Sequence, residues 1–289
     1  MTPELTPPDA ALLRLLQALE ARGYDFVAPT PSTHARVVAR RSGAETLRDV
    51  LGWSLPFAQG AMDPEIVGLL SEARMLQPAG NGLKSRVRVS RLHEHLLLHT
   101  SYPTDDDDAV FFGPDSYRFG DLLQHELAGT RAGRIVEIGA GSGVGGIVAA
   151  TATQAPELIL ADINPLALRL ARINAVHAGL APTLVETSGL DGIEGEFDVI
   201  VANPPYIAGD DSQTYRDGGD LHGAALSVEW AAAASARLAS HGRFVLYTGS
   251  AIIQGRDRVR DTLKALAARA GLELRYREID PDVFGEELS

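Results

Sequence analysis

Cysteine is absent from all 289 residues, which excludes disulfides, iron–sulfur clusters and thiolate zinc sites. Long apolar runs are missing too: none approaches the ~18 residues that a membrane span requires. The amino terminus, "MTPELTPPDAALLRLL", has proline and acid where a secretory signal carries Lys or Arg before its apolar core, so a cytoplasmic location and no membrane partner are expected. Positive charge is scarce in one part of the chain. Residues 1–100 hold 11 basic and 10 acidic side chains, whereas the remaining 15 and 28 give residues 101–289 a net charge of −13. Bulk attraction to a phosphate backbone is therefore excluded for the second half, and nucleic-acid contact would fall to the first.

A length of 289 residues suits two domains. In the first half, "ALLRLLQALEARG", "GAETLRDVLGW" and "DPEIVGLLSEARML" have helical spacing, the last with Asp63 as N-cap and Pro64 in the first turn. "GLKSRVRVSRLHEHLLLHTS" then switches to alternation and predicts a two-stranded hairpin. Three helices and a hairpin make a winged-helix-like pattern, expected to recognise substrate over residues 1–103. Lys84, Arg86 and Arg88 alternate onto one predicted face, with Arg91 nearby. They read either as a basic wing or as an edge strand guarded by charge. His93, His95 and His99 share a face but lack a cysteine or carboxylate at ligand spacing, Glu94 lying on the other face, so no metal is expected. Residues 104–133 form a linker that includes "TDDDD", a short strand, a turn at Gly113-Pro114 and a helix from about Asp115.

From residue 134 the chain alternates apolar strands with amphipathic helices. "RIVEIGA", "ELILADI", "PTLVETS", "FDVIVAN" and "RFVLYTG" predict an α/β fold with a parallel sheet covered on both faces. Ligands of such sheets lie at the carboxyl ends of the strands, where the strand order reverses. "VEIGAGSGVGG" supplies a glycine loop after the first strand, and Asp162 ends the second, placed to accept the hydroxyls of a ribose. The spacing G-x-G-x-G differs from a dinucleotide fingerprint, although nicotinamide binding stays open at this point. The fourth strand runs into Asn203-Pro204-Pro205-Tyr206, where two prolines forbid its continuation.

With "VEIGAGSG", "LADINPLAL" and "NPPYI" in order, residues 110–280 resemble the class I S-adenosylmethionine-dependent methyltransferases. They are most similar to the N-methyltransferases with an NPPY-type motif, which include release-factor glutamine methyltransferases and amino-methyltransferases of RNA and DNA. The resemblance implies a Rossmann-like catalytic domain over 134–289, preceded by the mainly helical winged-helix-like domain. It implies S-adenosylmethionine as cofactor and S-adenosylhomocysteine as product. Glu137, Gly139, Ala140 and Gly141 would hold the methionine portion and ribose, Asp162 the ribose hydroxyls, and Ile163 would pack on adenine. Ser116, beside Asp115, falls where a Ser or Thr meets the cofactor carboxylate. Gly189 replaces the acid that relatives place before Leu190 to bind the adenine amino group.

The same resemblance gives the quartet its chemistry. Asn203 Oδ1 and the carbonyl of Pro204 would each accept one N–H of a planar NH2 group, Pro205 would stiffen the turn, and Tyr206 would offer a stacking face. The expected activity is N-methylation, with an exocyclic amino group of a base in ribosomal or transfer RNA as the first acceptor reading. A protein glutamine of the release-factor type is the second, encouraged by the "GG" run after the quartet; both place the partner in the translation machinery. A non-catalytic binding module with a vestigial cofactor fold is the third. "LELRYREI" reads as a sixth strand with no seventh after it, which predicts a chain shortened at its carboxyl end.

Overall fold

A computed structural model describes residues 5–41, 43–104, 106–205 and 224–280. The first half opens with four helices: α1 (Pro7–Ala21), α2 (Pro31–Val38), α3 (Leu47–Leu51) and α4 (Pro64–Glu72). Three of them start on a Thr or Asp cap followed by proline, a pairing that satisfies one orphan N–H and removes another. Asp63 caps α4 as expected, accepting from Glu65 N at 2.9 Å. Leu12, Leu15, Leu16 and Leu19 form the buried stripe of α1.

Two hairpins follow where one was expected, β1 (Leu76–Ala79) with β2 (Gly82–Ser85) and β3 (Val87–Leu92) with β4 (His95–Thr100). The chain breaks between β2 and β3 because the Ser85 hydroxyl binds both the amide and the carbonyl of Val87. Lys84, Arg86 and Arg88 therefore do not share one strand face. Arg88 is buried, donating through Nε to Gly52 O at 2.8 Å and lying over the Phe26 ring. Lys84 binds the carbonyl of Tyr102, and Arg91 binds the carbonyl of Tyr24. Only Arg86 of the expected basic wing is exposed. The histidines separate in the same way: His99 is buried against Ser90 Oγ and stacks on Phe112, while His93 sits in the hairpin turn beside Asp121.

The second half begins with α5 (Pro114–Glu126); residues 109–112 before it, expected as a short strand, form none. Next come β5 (Arg134–Ile138), α6 (Val144–Thr153), β6 (Glu157–Asp162), α7 (Pro165–His177), β7 (Thr183–Glu186), β8 (Phe197–Ala202), α8 (Ala225–Ser235) and β9 (Leu238–Leu246). A small hairpin, β10 (Ile252–Ile253) with β11 (Arg256–Asp257), leads into α9 (Arg258–Ala270). The five long strands form one parallel sheet in the order β7-β6-β5-β8-β9. Order reverses between β5 and β8, so the loops after these two strands flank the crevice. This is the Rossmann-like parallel sheet that the resemblance implied. The segment expected as a sixth strand, 272–279, forms none, and Leu272, Leu274 and Ile279 are exposed. Tyr276 donates to Asp257 Oδ2 at 2.5 Å, so a side chain rather than ladder bonds ties it down.

The two halves share one buried cluster, in which the α1 leucines and Leu96 and Leu98 of β4 join Ile147, Leu170 and Ile173. Asp9 of α1 accepts from Arg169 Nε of α7 at 2.6 Å. At the centre of the contact, the buried Asn174 of α7 accepts from Leu98 N at 2.8 Å. Its Nδ2 donates to Leu98 O at 3.0 Å and to Ser142 O at 2.8 Å.

Burial also makes the first half sensitive to acid. It lowers the pKa of His34 to about 4, helped by the nearby Arg88 charge. The unfolded chain thus binds the extra proton at a higher pH than the native one, and stability is lost as pH falls from 6.5 towards 4. Glu137, Asp115 and Asp162, all raised by burial, pull the opposite way over part of this range. The histidine contribution is therefore read as a difference from His34→Phe in urea unfolding. Wild type should lose about 1.4 kcal/mol per pH unit relative to the variant below pH 6; a constant difference from pH 7 to 4.5 would contradict the assignment.

Candidate active site

Glu137, near the end of β5, turns its carboxylate onto the amino terminus of α6. Oε1 accepts from Gly145 N and Oε2 from Gly146 N, each at 2.8 Å. Burial raises its pKa to about 8 against those two donors. The contact explains the paired glycines: a Cβ on Gly145 would lie 2.6 Å from Oε1, and one on Gly146 would lie 2.5 Å from Leu160 Cδ2. Glu137 thus fastens the glycine loop to the helix that follows it.

Gly139 opens that loop at φ +65°, and a Cβ there would meet the Trp230 ring at 2.6 Å. Across the loop, Asp162 at the tip of β6 accepts from Gly141 N through Oδ2 and from Asn164 N through Oδ1, both at 2.8 Å. Each oxygen keeps a further lone pair for a ligand hydroxyl. Burial raises the pKa of Asp162, the amides of Gly141 and Asn164 opposing it. Ile163 beside it is 52% exposed, an apolar face turned outward at the crevice.

Asn203 follows the end of β8 and donates through Nδ2 to Asp115 Oδ2 at 3.1 Å, 88 residues away in sequence. Asn203 Oδ1 and Asp115 Oδ1 are both buried without a hydrogen-bond partner among the described residues. Burial raises the pKa of Asp115, with the Asn203 amide as the largest opposing influence. Ser116 Oγ accepts from Gly113 N at 3.2 Å, which closes the first turn of α5.

These residues line one cavity of about 460 Å³, within the usual ~300–1,000 Å³ of ligand pockets. Among the expected site residues, Asp115, Ser116, Glu137, Gly139, Ala140, Gly141, Asp162, Ile163, Gly189, Asn203, Pro204 and Pro205 face it. Leu190 does not: its side chain is buried in the cluster with Ile138 and Trp230. Tyr206 and the glycine run at 218–223 lie outside the described residues. Trp230, Phe111 and Phe119 also form the walls, and Asp107 and Asp108 belong to the lining. None of the five was expected. At Gly189, where the resemblance led to an acid, a Cβ would lie 3.6 Å from Trp230 Nε1. An indole edge thus stands beside the position from which the acid is missing.

A parallel sheet with this order, a glycine loop after its central strand, an acid closing the next and NPP after β8 define the class I methyltransferases that use S-adenosylmethionine. Residues 111–250 match the family model of the methyltransferase small domain. The chain is 32% identical, over 64% of its length, to a release factor glutamine methyltransferase of Deinococcus radiodurans. It is 30% identical, over 57% of its length, to a protein of the same name in Bordetella pertussis. A ribosomal RNA small subunit methyltransferase C of Pseudomonas entomophila is 31% identical over 30% of this chain and 26% of its own. The chain spans 66% and 63% of the first two relatives, a little under two thirds of their lengths.

S-adenosylmethionine fits the donor set of the cavity. Asp162 can accept from ribose hydroxyls, and the exposed Ile163 can cover a base. Among the described residues no helix is long and apolar enough to cross a membrane.

Proposed function

We propose that this protein is an S-adenosylmethionine-dependent N-methyltransferase whose acceptor is a primary carboxamide of a protein, a glutamine side chain of the translation machinery. The observation that carries this choice is the charge of the cavity. Its described lining holds Asp107, Asp108, Asp115, Glu137 and Asp162 but no Lys, Arg or His. A polyanionic acceptor would bring its phosphates towards these carboxylates, whereas a glutamine amide is neutral. Two relatives named as release factor glutamine methyltransferases support the same choice. The RNA amino-group reading draws on a relative aligned over 30% of the chain, and it loses its basic wing with the burial of Arg88.

In this reading the bound cofactor supplies an electrophilic methyl group. The chain's own contribution is to hold a poor nucleophile in position. Asn203 Oδ1 accepts one N–H of the amide and the Pro204 carbonyl accepts the other, which turns the delocalised nitrogen towards sp3 geometry and aims its lone pair. The same two oxygens stabilise the positive charge that develops on nitrogen, and proximity supplies the remainder. The methylated nitrogen then loses its proton to solvent, so no general base is required.

The test is incubation of the protein and methyl-tritiated cofactor with purified peptide release factor, ribosomal RNA and transfer RNA in parallel. Label in the release factor, mapped to a glutamine, is expected. Label confined to RNA would replace the acceptor with a base amino group, and label in none of them would favour the vestigial binding module.

A further inference from the structure

We infer that Asp115 is a positioning residue for the acceptor clamp: its buried carboxylate takes the Nδ2 end of the Asn203 amide and so keeps Oδ1 as the free acceptor end. The inference rests on the methyltransferase reading of Asn203 and deepens it. An asparagine amide is nearly symmetric in shape, and its oxygen and nitrogen exchange places on a half turn. For the clamp, only one of the two orientations works, because the substrate NH2 offers donors and needs an acceptor. Nothing within Asn203 itself selects that orientation.

Asp115 does. In its ionised form, which the Asn203 N–H favours against burial, the carboxylate has no donor, so at 3.1 Å from its Oδ2 it tolerates the Nδ2–H of Asn203 and repels the oxygen. The repulsion is undiluted by water, since Asp115 is 6% exposed. The result is the observed one: Nδ2 is spent on the carboxylate, and Oδ1 is left as a buried acceptor without a partner among the described residues. The same geometry argues against cofactor binding by Asp115, whose neighbour Ser116 is the residue expected to meet the cofactor carboxylate. Two carboxylates in a dry pocket repel, and this one already serves an amide. Its anchorage is independent of the ligand, because Pro114 and the Gly113–Ser116 contacts fix the first turn of α5.

The role separates from a binding role by a double-mutant cycle. Asp115→Ala is expected to lower kcat about 30-fold, with the cofactor Kd by calorimetry and the acceptor KM within about threefold of wild type. Asp115→Asn, whose carbonyl can still accept from Nδ2, should recover part of that loss. In the Asn203→Ala background, Asp115→Ala should cost no more than about twofold, since no amide remains to be oriented. An unchanged 30-fold cost there, or a cofactor Kd weakened tenfold with kcat intact, would overturn the inference.

The cycle is run on whichever acceptor takes label from the wild type, so a failed glutamine assignment does not decide it. A second readout needs no acceptor. The side-chain amide cross-peak of Asn203 in a 15N-labelled sample, identified by its loss in Asn203→Ala, should shift in both Asp115 variants. A cross-peak unmoved in both would equally refute the lock, even if no acceptor were found.

Discussion

Replacing Asn203 by alanine should lower methyl transfer about 10²–10³-fold while cofactor affinity changes by no more than about threefold, the usual scale for removing one preorganised acceptor or donor at a developing charge. The expectation follows from where the side chain spends its two ends. Nδ2 is committed to Asp115, and Oδ1 is left as a buried acceptor without a described partner, on a residue that lines the cavity. Removing it takes one of two oxygens away from a nitrogen whose positive charge exists only as the methyl moves, so kcat falls. The glycine loop and Asp162, which bind through other atoms, are unaffected. Single-turnover kinetics with saturating cofactor, beside calorimetric titration of the cofactor alone, separates the two quantities. A variant with full turnover would remove Asn203 from the chemistry, and one that fails to bind cofactor would make it a cofactor residue. Asn203→Asp is a sharper probe. It keeps an acceptor oxygen but places a second carboxylate against Asp115, and it should be impaired nearly as much as the alanine variant.

What could be read in the sequence divides by the range of the interaction. The parallel sheet was legible because its strands are nearly continuous apolar runs, a pattern that needs no knowledge of partners. Asp63 as a cap, the glycine loop, Asp162 and the NPP turn were legible because each is a local device whose residue types follow from backbone chemistry. The misses are contacts across the chain. Helix α2 has a cap at Thr30 but no apolar stripe, only His34 being buried, so periodicity had nothing to detect. Strand β1, with Pro78 at its third position, pairs only through its neighbour β2. Arg88 alternates with its neighbours like an exposed wing residue. Its burial is set by Gly52 and Phe26, some 36 and 62 residues earlier in the chain. In the site, Trp230 reaches Gly139 and Gly189 from a helix that shows no strong apolar face, and Asp115 reaches Asn203 from the far side of the glycine loop. The segment 272–279 alternates as a strand should. Alternation states which face could be buried, whereas pairing depends on what the neighbouring edge offers.

Asn174→Leu is expected to destabilise the protein by about 3–5 kcal/mol, seen as a fall of roughly 10 °C in Tm. Asparagine amides in helix interiors are ordinarily dispensable, so the size of the effect lies in what this one satisfies. It serves three backbone groups at once: the amide and the carbonyl of Leu98 on the outer edge of β4, and the carbonyl of Ser142 in the glycine loop. Leucine keeps the branched outline, with bulkier methyls, and leaves all three in an apolar interior without partners, each costing about 1–3 kcal/mol less whatever water can recover. Asn174→Asp distinguishes lost hydrogen bonds from lost shape. A carboxylate can accept from Leu98 N but confronts two carbonyl oxygens with charge, so it should be at least as damaging as leucine despite its closer likeness to asparagine. The third bond also gives the substitution a functional signature that a core defect elsewhere would lack. Ser142 lies between Gly141, which binds Asp162, and the start of α6, which binds Glu137. Below the melting transition, Asn174→Leu should therefore weaken cofactor binding several-fold, whereas Leu12→Ala in α1, of comparable cost to stability, should not. Equal cofactor affinity in the two variants would mean that the amide only joins the two halves; a selective loss in Asn174→Leu would mean that it also shapes the loop that holds the cofactor.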